Sequence, residues 1–413
     1  MDNQTFSIRN SLTTRLITAF FIILSVNACV PATTTPPTEH SPTVAPQIDE
    51  TISSDFPSIL SFSIVATPGG KVYAALGGHT GILVVSSTDG GKKFSEPVNA
   101  SGEAPVHVLP VERPALASFG EETVAVAWLE QAGDYSGASV WLAISTNGGK
   151  TFGSAMEVAA EQGREVVMIQ VLLDESGNPM LAWLNDGTLR FTRSNDSGTT
   201  FNEVQTIGPG ACECCQPSLA MKDGNVSIAY RGLEKQIDGN DIRDILLSTS
   251  SDGGQIFHPF TRVNDDHWVL NACPIAGPSM AMFENDMYVA WMDGRQAEPN
   301  QPYNGSVWFS FSKDGGKTFS PNMQINPNPG VHQTLPSLAV DANGHIHLAW
   351  EYHSADKQSI QYSISEDGGT TFSEPRELIS GFPRMPLLLT LPSGEILLGW
   401  QDHTGVHIQT WAE

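Results

Sequence analysis

The sequence predicts an all-β propeller built from a repeated four-stranded unit. Three observations lead there: one eight-residue phrase recurs six times, a second phrase recurs seven times, and no stretch shows helical periodicity of useful length. Fixed-period repetition means that one supersecondary unit stacks on copies of itself. Short apolar runs between Gly- and Pro-rich turns make that unit β rather than helical. The 413 residues include 38 Gly and 27 Pro, enough to supply a turn every few residues between strands.

In chain order, the first element is a leader. Arg9 and Arg15 precede an apolar run from Leu16 to Val26, which ends at Asn27-Ala28-Cys29. A positive start, a short apolar core and a small residue before the cut describe a secretory signal peptide over residues 1–28. The run is shorter than the roughly 20 residues that span a bilayer. Val26-Asn27-Ala28-Cys29 resembles the bacterial lipobox, which implies acylation of Cys29. The expectation is an extracytoplasmic protein on the cell membrane or cell surface, with the membrane as a partner through lipid. An ordinary secretory cut is the alternative. Residues 29–48 then form a Thr/Pro-rich tether, too poor in apolar surface to fold and kept extended by its prolines.

Residues 49–413 are the propeller. The chain carries 45 acidic and 21 basic residues, a formal net charge of −24. That surface repels a phosphate backbone, so nucleic acid is excluded as a partner. Phosphate-binding glycine loops, serine-hydrolase elbows and HExxH phrases are absent from the sequence.

The six-fold phrase reads Ser, any, Asp or Asn, any, Gly, two variable residues, Phe. Its copies begin at Ser87, Ser145, Ser194, Ser250, Ser312 and Ser365, at intervals of 49 to 62 residues. Gly at the fifth position permits a positive φ in a tight turn. The third residue, Asp89, Asn147, Asp196, Asp252, Asp314 or Asp367, is able to accept hydrogen bonds from the turn's own amides. The closing Phe is expected to pack between adjacent sheets. These six positions are therefore read as structural.

The seven-fold phrase counts the units. It runs Pro, small residue, apolar strand, turn, then a strand ending near Trp or Tyr, and it starts at Pro57, Pro114, Met168, Pro217, Pro278, Pro336 and Pro386. The chain stops after the third strand of the last unit, so a segment around Glu50 to Phe56 is expected to supply its fourth strand and close the ring. Seven blades are predicted, with six as the alternative.

With that strand order, the loops entering each first strand and those joining second to third strands open on one face, around the channel. They carry Arg113, Arg231, Asp293, Arg295, His332, Glu351 and Arg384, the candidate ligand-binding residues. Two further loops carry cysteine: Cys212, Cys214 and Cys215 in GACECCQPS, and Cys273 in NACPIAGPS. Both lead into first strands of neighbouring blades. Two disulfides are one reading for an oxidising compartment, with Cys273 paired to Cys214 or Cys215. A soft-metal thiolate site is the other. No cofactor is otherwise required.

The six-fold phrase resembles the Asp box, or BNR repeat, of the sialidase superfamily, and the resemblance covers nearly everything after residue 55. It implies a sialidase-like β-propeller. It also implies three arginines on a substrate carboxylate, a Tyr–Glu nucleophile pair and an acid/base Asp. By that resemblance Arg231 stands at the second arginine position and Arg295 at the third. Phe56-Pro57-Ser58-Ile59 replaces the first arginine phrase, Ser227 the expected Glu, and Val331 to Pro336 offers no Tyr. The expected function is a lipid-anchored module that binds a glycan or extracellular protein ligand at its channel mouth. A sialidase-like glycoside hydrolase is the alternative, and a cysteine-dependent metal-binding protein the third reading.

Overall fold

A computed structural model describes residues 50–52 and 59–413, apart from 111, 132–136, 164–165, 237–240, 271, 298–303 and 329. Cys29, the signal peptide and the tether lie outside the described residues. Among the described residues there are thirty strands and no helix.

Seven four-stranded antiparallel sheets form the blades. Their innermost strands are Ile59–Ala66, Ala115–Phe119, Val166–Leu173, Ser218–Lys222, Ser279–Phe283, His332–Val340 and Arg384–Thr390. These pack side by side in sequence order, and the last returns to the first. Blade seven takes its outer strand from the amino-terminal side. Glu50 and Thr51 pair with Ile408 and His407, and the Ile52 amide donates to the Val406 carbonyl at 2.8 Å. The ring thus has seven blades, not six, and closes as the missing fourth strand requires. Blade four carries one addition, a ribbon in which Glu234–Lys235 pairs with Asp241–Ile242 between its second and third strands.

The second strand of each blade is covered on both faces, which is why segments such as PMLAWLN are continuously apolar instead of alternating. Trp128, Trp183, Tyr230, Trp291, Trp350 and Trp400 are fully buried there, between neighbouring sheets. An aromatic of this size removes about 150–250 Å² from water, on the order of 4–6 kcal/mol as an upper bound.

The small residue after each proline also has a physical role. Ser218, Ser279 and Ser337 accept hydrogen bonds from the amides of Met280, Leu338 and Leu388, each on the inner strand of the following blade.

The six Ser-x-Asp/Asn turns link the third and fourth strands of blades one to six. In each, the buried serine hydroxyl accepts from the glycine amide four residues on, at 2.8–2.9 Å. That serine also donates to the Asp or Asn side chain, whose Oδ1 accepts the following amides. The fifth-position glycines have φ between 78° and 92°. A Cβ on any of them would come within 2.4–3.0 Å of a side chain of the preceding blade, for example Leu247 against Gly316. Glycine is demanded twice over, by backbone angle and by close approach. The closing phenylalanines Phe94, Phe152, Phe201, Phe257, Phe319 and Phe372 pack against the apolar clusters between blades.

Candidate functional site

The inner strands enclose a cavity of about 630 Å³ at the ring centre. Four of the seven candidate ligand-binding residues line it: Arg113, His332, Glu351 and Arg384. Their positions follow from the topology. Arg113 enters the first strand of blade two, while His332 and Arg384 open those of blades six and seven. Glu351 lies near the end of blade six's second strand, with His353 two residues on, also in the wall.

Glu351 is buried and doubly held. Its Oε1 accepts the Met385 amide at 2.5 Å, and its Oε2 lies 2.7 Å from His353 Nε2. His332 Nδ1 accepts from the Gly305 amide at 3.0 Å, so in the neutral ring the proton sits on Nε2. Burial, with His353 nearby, pushes the His332 pKa down to about 4, so this imidazole is uncharged at neutral pH. Arg113 is half-buried, and desolvation lowers its pKa to about 10, opposed by the Glu351 charge. It remains a cation. Among the described residues, neither the Arg113 nor the Arg384 side chain has a hydrogen bond or ion pair.

The other three candidates are held elsewhere. Arg231 is fully buried, and its guanidinium donates to the carbonyls of Ala276, Arg243 and Met292 at 2.5–3.1 Å, with the Trp268 ring 5.1 Å away. Arg295 forms ion pairs with Asp293 and Asp266 and lies over the Trp308 ring at 4.2 Å. Asp293 is buried, accepting from Arg295 and from Trp291 Nε1. None of the three lines the cavity. The carboxylate clamp that the resemblance implies is not assembled from Arg231 and Arg295.

Three neutral side chains in the wall, Gln170, Gln216 and Gln358, had no sequence signal, because amides carry no motif and only ionisable groups stood out. The rest of the wall mixes serine and threonine hydroxyls with Met168, Leu335 and several prolines.

The cysteines do converge. Cys214 and Cys273 form a disulfide with Cα atoms 6.1 Å apart, joining the loops before blades four and five. Cys214 faces the cavity. Cys212 and Cys215 are free and buried behind it. A close backbone approach brings these loops together, since a Cβ on Gly277 would sit 1.8 Å from the Gln216 carbonyl oxygen. Cys212 Sγ accepts from Arg243 Nη1 at 2.9 Å and lies 3.1 Å from Cys215 Sγ. The Cys215 hydrogen bond, helped by the Arg243 and Arg231 charges, lowers the Cys212 pKa to about 7 despite burial. Burial raises that of Cys215. The sulfurs of Cys212, Cys214 and Cys215 are near enough to one another to share an ion if the disulfide were reduced.

No family model matches the sequence, and no curated protein resembles it in sequence. Solved structures resemble it in shape. An ulvan lyase of a new polysaccharide lyase family, bound to -[GlcA(1-4)Rha3S]-, aligns over 89% of this chain and 95% of its own, at 10% identity and TM-score 0.57. A protein of unknown function from Dyadobacter fermentans aligns over 86% and 93%, at 14% identity and TM-score 0.51. A Hadza microbial sialidase aligns over 84% and 74%, at 16% identity and TM-score 0.45. The first two show a shared propeller fold.

Proposed function

We propose that this propeller works outside the cytoplasm, carried on a lipidated Cys29, and binds an acidic glycan unit in its central channel. One observation carries the reading: the side chains of Arg113 and Arg384 line one cavity, and among the described residues neither has a hydrogen-bond or ion-pair partner, Arg113 feeling only the nearby Glu351 charge. Arg113 is desolvated while Arg384 is exposed, and a carboxylate or sulfate between them would accept paired N–H···O bonds from guanidinium groups that lack such acceptors. The remaining wall suits a sugar. The glutamine amides, the hydroxyls and the Nε2–H of His332 match ring hydroxyls, and the prolines and methionines match C–H faces. A volume of about 630 Å³ falls in the range of small-ligand sites. The ulvan lyase that shares the fold is described with an acidic saccharide bound, which agrees in charge class.

Hydrolysis by paired carboxylates has less support, because Glu351 is the only carboxylate among the described lining residues and that chemistry requires two. A second reading, elimination from a uronate, is favoured by the Glu351–His353 contact. With its Nε2–H donated to Glu351, His353 keeps Nδ1 as a base, oriented by the carboxylate as in hydrolase triads. Arginine would then stabilise charge developing beside the substrate carboxylate.

Calorimetric titration of the soluble domain with uronate and neutral oligosaccharides of equal length separates the possibilities. Tighter binding of the uronate, weakened at least tenfold by Arg384→Ala or Arg113→Gln, supports the binding reading. Equal affinity for both ligands, unchanged by either substitution, overturns it. Ultraviolet absorbance from an unsaturated product, abolished in His353→Ala with binding retained, would promote the elimination reading.

A further inference from the structure

We infer that the four cysteines of the propeller form an internal thiol–disulfide relay, in which the buried Cys212/Cys215 dithiol passes two electrons to the channel-facing Cys214–Cys273 disulfide. The geometry is that of a chain of sulfurs running from core to surface. Cys273 is exposed, Cys214 lines the cavity, and Cys212 and Cys215 are buried. Cys212 Sγ stands 3.6 Å from Cys214 Sγ and 3.1 Å from Cys215 Sγ, so it lies in contact with both sulfurs with which it would exchange.

The sequence Cys212-Glu213-Cys214-Cys215 also gives Cys212 and Cys215 the C-x-x-C spacing in which one thiolate is stabilised for exchange. Here the Cys215 hydrogen bond is joined by Arg243, a buried cation that donates to Cys212 Sγ and is itself fixed by the Leu270 carbonyl at 2.6 Å. The ribbon inserted in blade four ends at Ile242, immediately before this arginine. That addition, found in no other blade among the described residues, thereby brings a cation to a thiol.

The exchange balances without an outside oxidant. The Cys212 thiolate attacks Cys214 Sγ, a Cys212–Cys214 bond forms, the Cys214–Cys273 bond breaks, and Cys273 leaves as a thiolate. Cys215, on losing its proton to Cys273, then attacks Cys212 Sγ. A Cys212–Cys215 disulfide results, and Cys214 leaves as a thiolate that is protonated from solvent in exchange for the proton Cys212 lost on ionising. The buried pair is oxidised by two electrons and the surface pair reduced by two. Cys273 and Cys214 can then exchange with thiols or disulfides of a partner at the mouth, which makes the buried pair an electron store.

The test uses trapping variants of the mature chain. In Cys215→Ser the second step is blocked, so Cys273 is released and should be alkylated by a maleimide at least tenfold faster than in Cys212→Ser/Cys215→Ser. Equal rates would overturn the relay. Because a core substitution can disturb folding, the parent protein is also equilibrated across glutathione buffers, acid-quenched, alkylated and mapped by mass spectrometry. A species with a Cys212–Cys215 disulfide and free Cys214 and Cys273 is expected at intermediate poise. Its absence at every poise, or four free thiols holding one zinc or copper ion, would defeat the proposal.

Discussion

The Glu351 carboxylate accepts the Met385 amide at 2.5 Å, so an acid in the channel wall of blade six also ties down the inner strand of blade seven. Removing the acceptor with Glu351→Ala leaves a buried amide unpaired and should lower stability by about 1–3 kcal/mol in a denaturant titration. Glu351→Gln keeps an acceptor and should cost less. Because the Glu351 charge acts on Arg113, the Gln variant should also bind an anionic saccharide more tightly. Weaker binding in Glu351→Gln would count against Arg113 as an anion receptor.

In the Ser-x-Asp turns the buried partner is the serine, while the acid is exposed. Ser312→Ala leaves the Gly316 amide without its acceptor and should cost about 1–3 kcal/mol, with ligand affinity unchanged at saturation. A variant that melts like the parent yet loses binding would show that this face of the wheel is not scaffold alone.

The same turns set an acid limit. Hydrogen bonds from the threonine four residues on hold Asp196, Asp314 and Asp367 at a pKa of about 2, below the ordinary 3.8. A carboxylate depressed in the folded state contributes stability above the unfolded value, and that contribution disappears as pH falls toward the folded one. Melting temperature should therefore drop between pH 4 and pH 2. Blade two already uses Asn147, whose Oδ1 accepts the Thr151 amide at 3.0 Å. Asp314→Asn should accordingly melt near the parent at neutral pH and show a flatter acid profile; an unchanged profile would place the acid limit elsewhere.

Gly277 has no room for a methyl group, with the Gln216 carbonyl oxygen 1.8 Å from where a Cβ would stand. Gly277→Ala should push apart the two loops that carry cysteine, and non-reducing peptide mapping should find the Cys214–Cys273 link reduced or mispaired. An intact link with parental stability would mean that these loops yield more easily than their packing implies.

Much of the wheel was legible because its rules are local and repeated. Each turn needs its own Ser, Asp and Gly, each second strand needs an aromatic, and a seventh copy of the strand phrase without a seventh turn announced a shared blade. That the two cysteine loops meet was legible because both precede neighbouring inner strands, but the two-disulfide reading was not met: Cys214–Cys273 is bonded, while Cys212 and Cys215 are free. The channel was harder to read. Arg231 and Arg384 look alike as letters, yet one donates to three carbonyls inside the protein and the other stands unpaired at the cavity. The difference depends on which segments pack against each: Arg231 is held by carbonyls of Arg243, Ala276 and Met292, which lie far from it in the sequence and carry no mark in the repeat. Gln170, Gln216 and Gln358 left no mark because neutral amides are common on any surface.

The closing strand leaves the wheel at its circumference. Among the described residues only Glu50, Thr51 and Ile52 bond to the outer edge of the last sheet, so three residues separate the closed ring from one with the whole outer edge of Val406–Ala412 uncovered. An uncovered strand of that length offers a row of free backbone donors and acceptors to any second chain. Proteolytic trimming past Ile52 would thus turn a self-contained ring into one primed for edge-to-edge assembly, without touching a single residue of the channel.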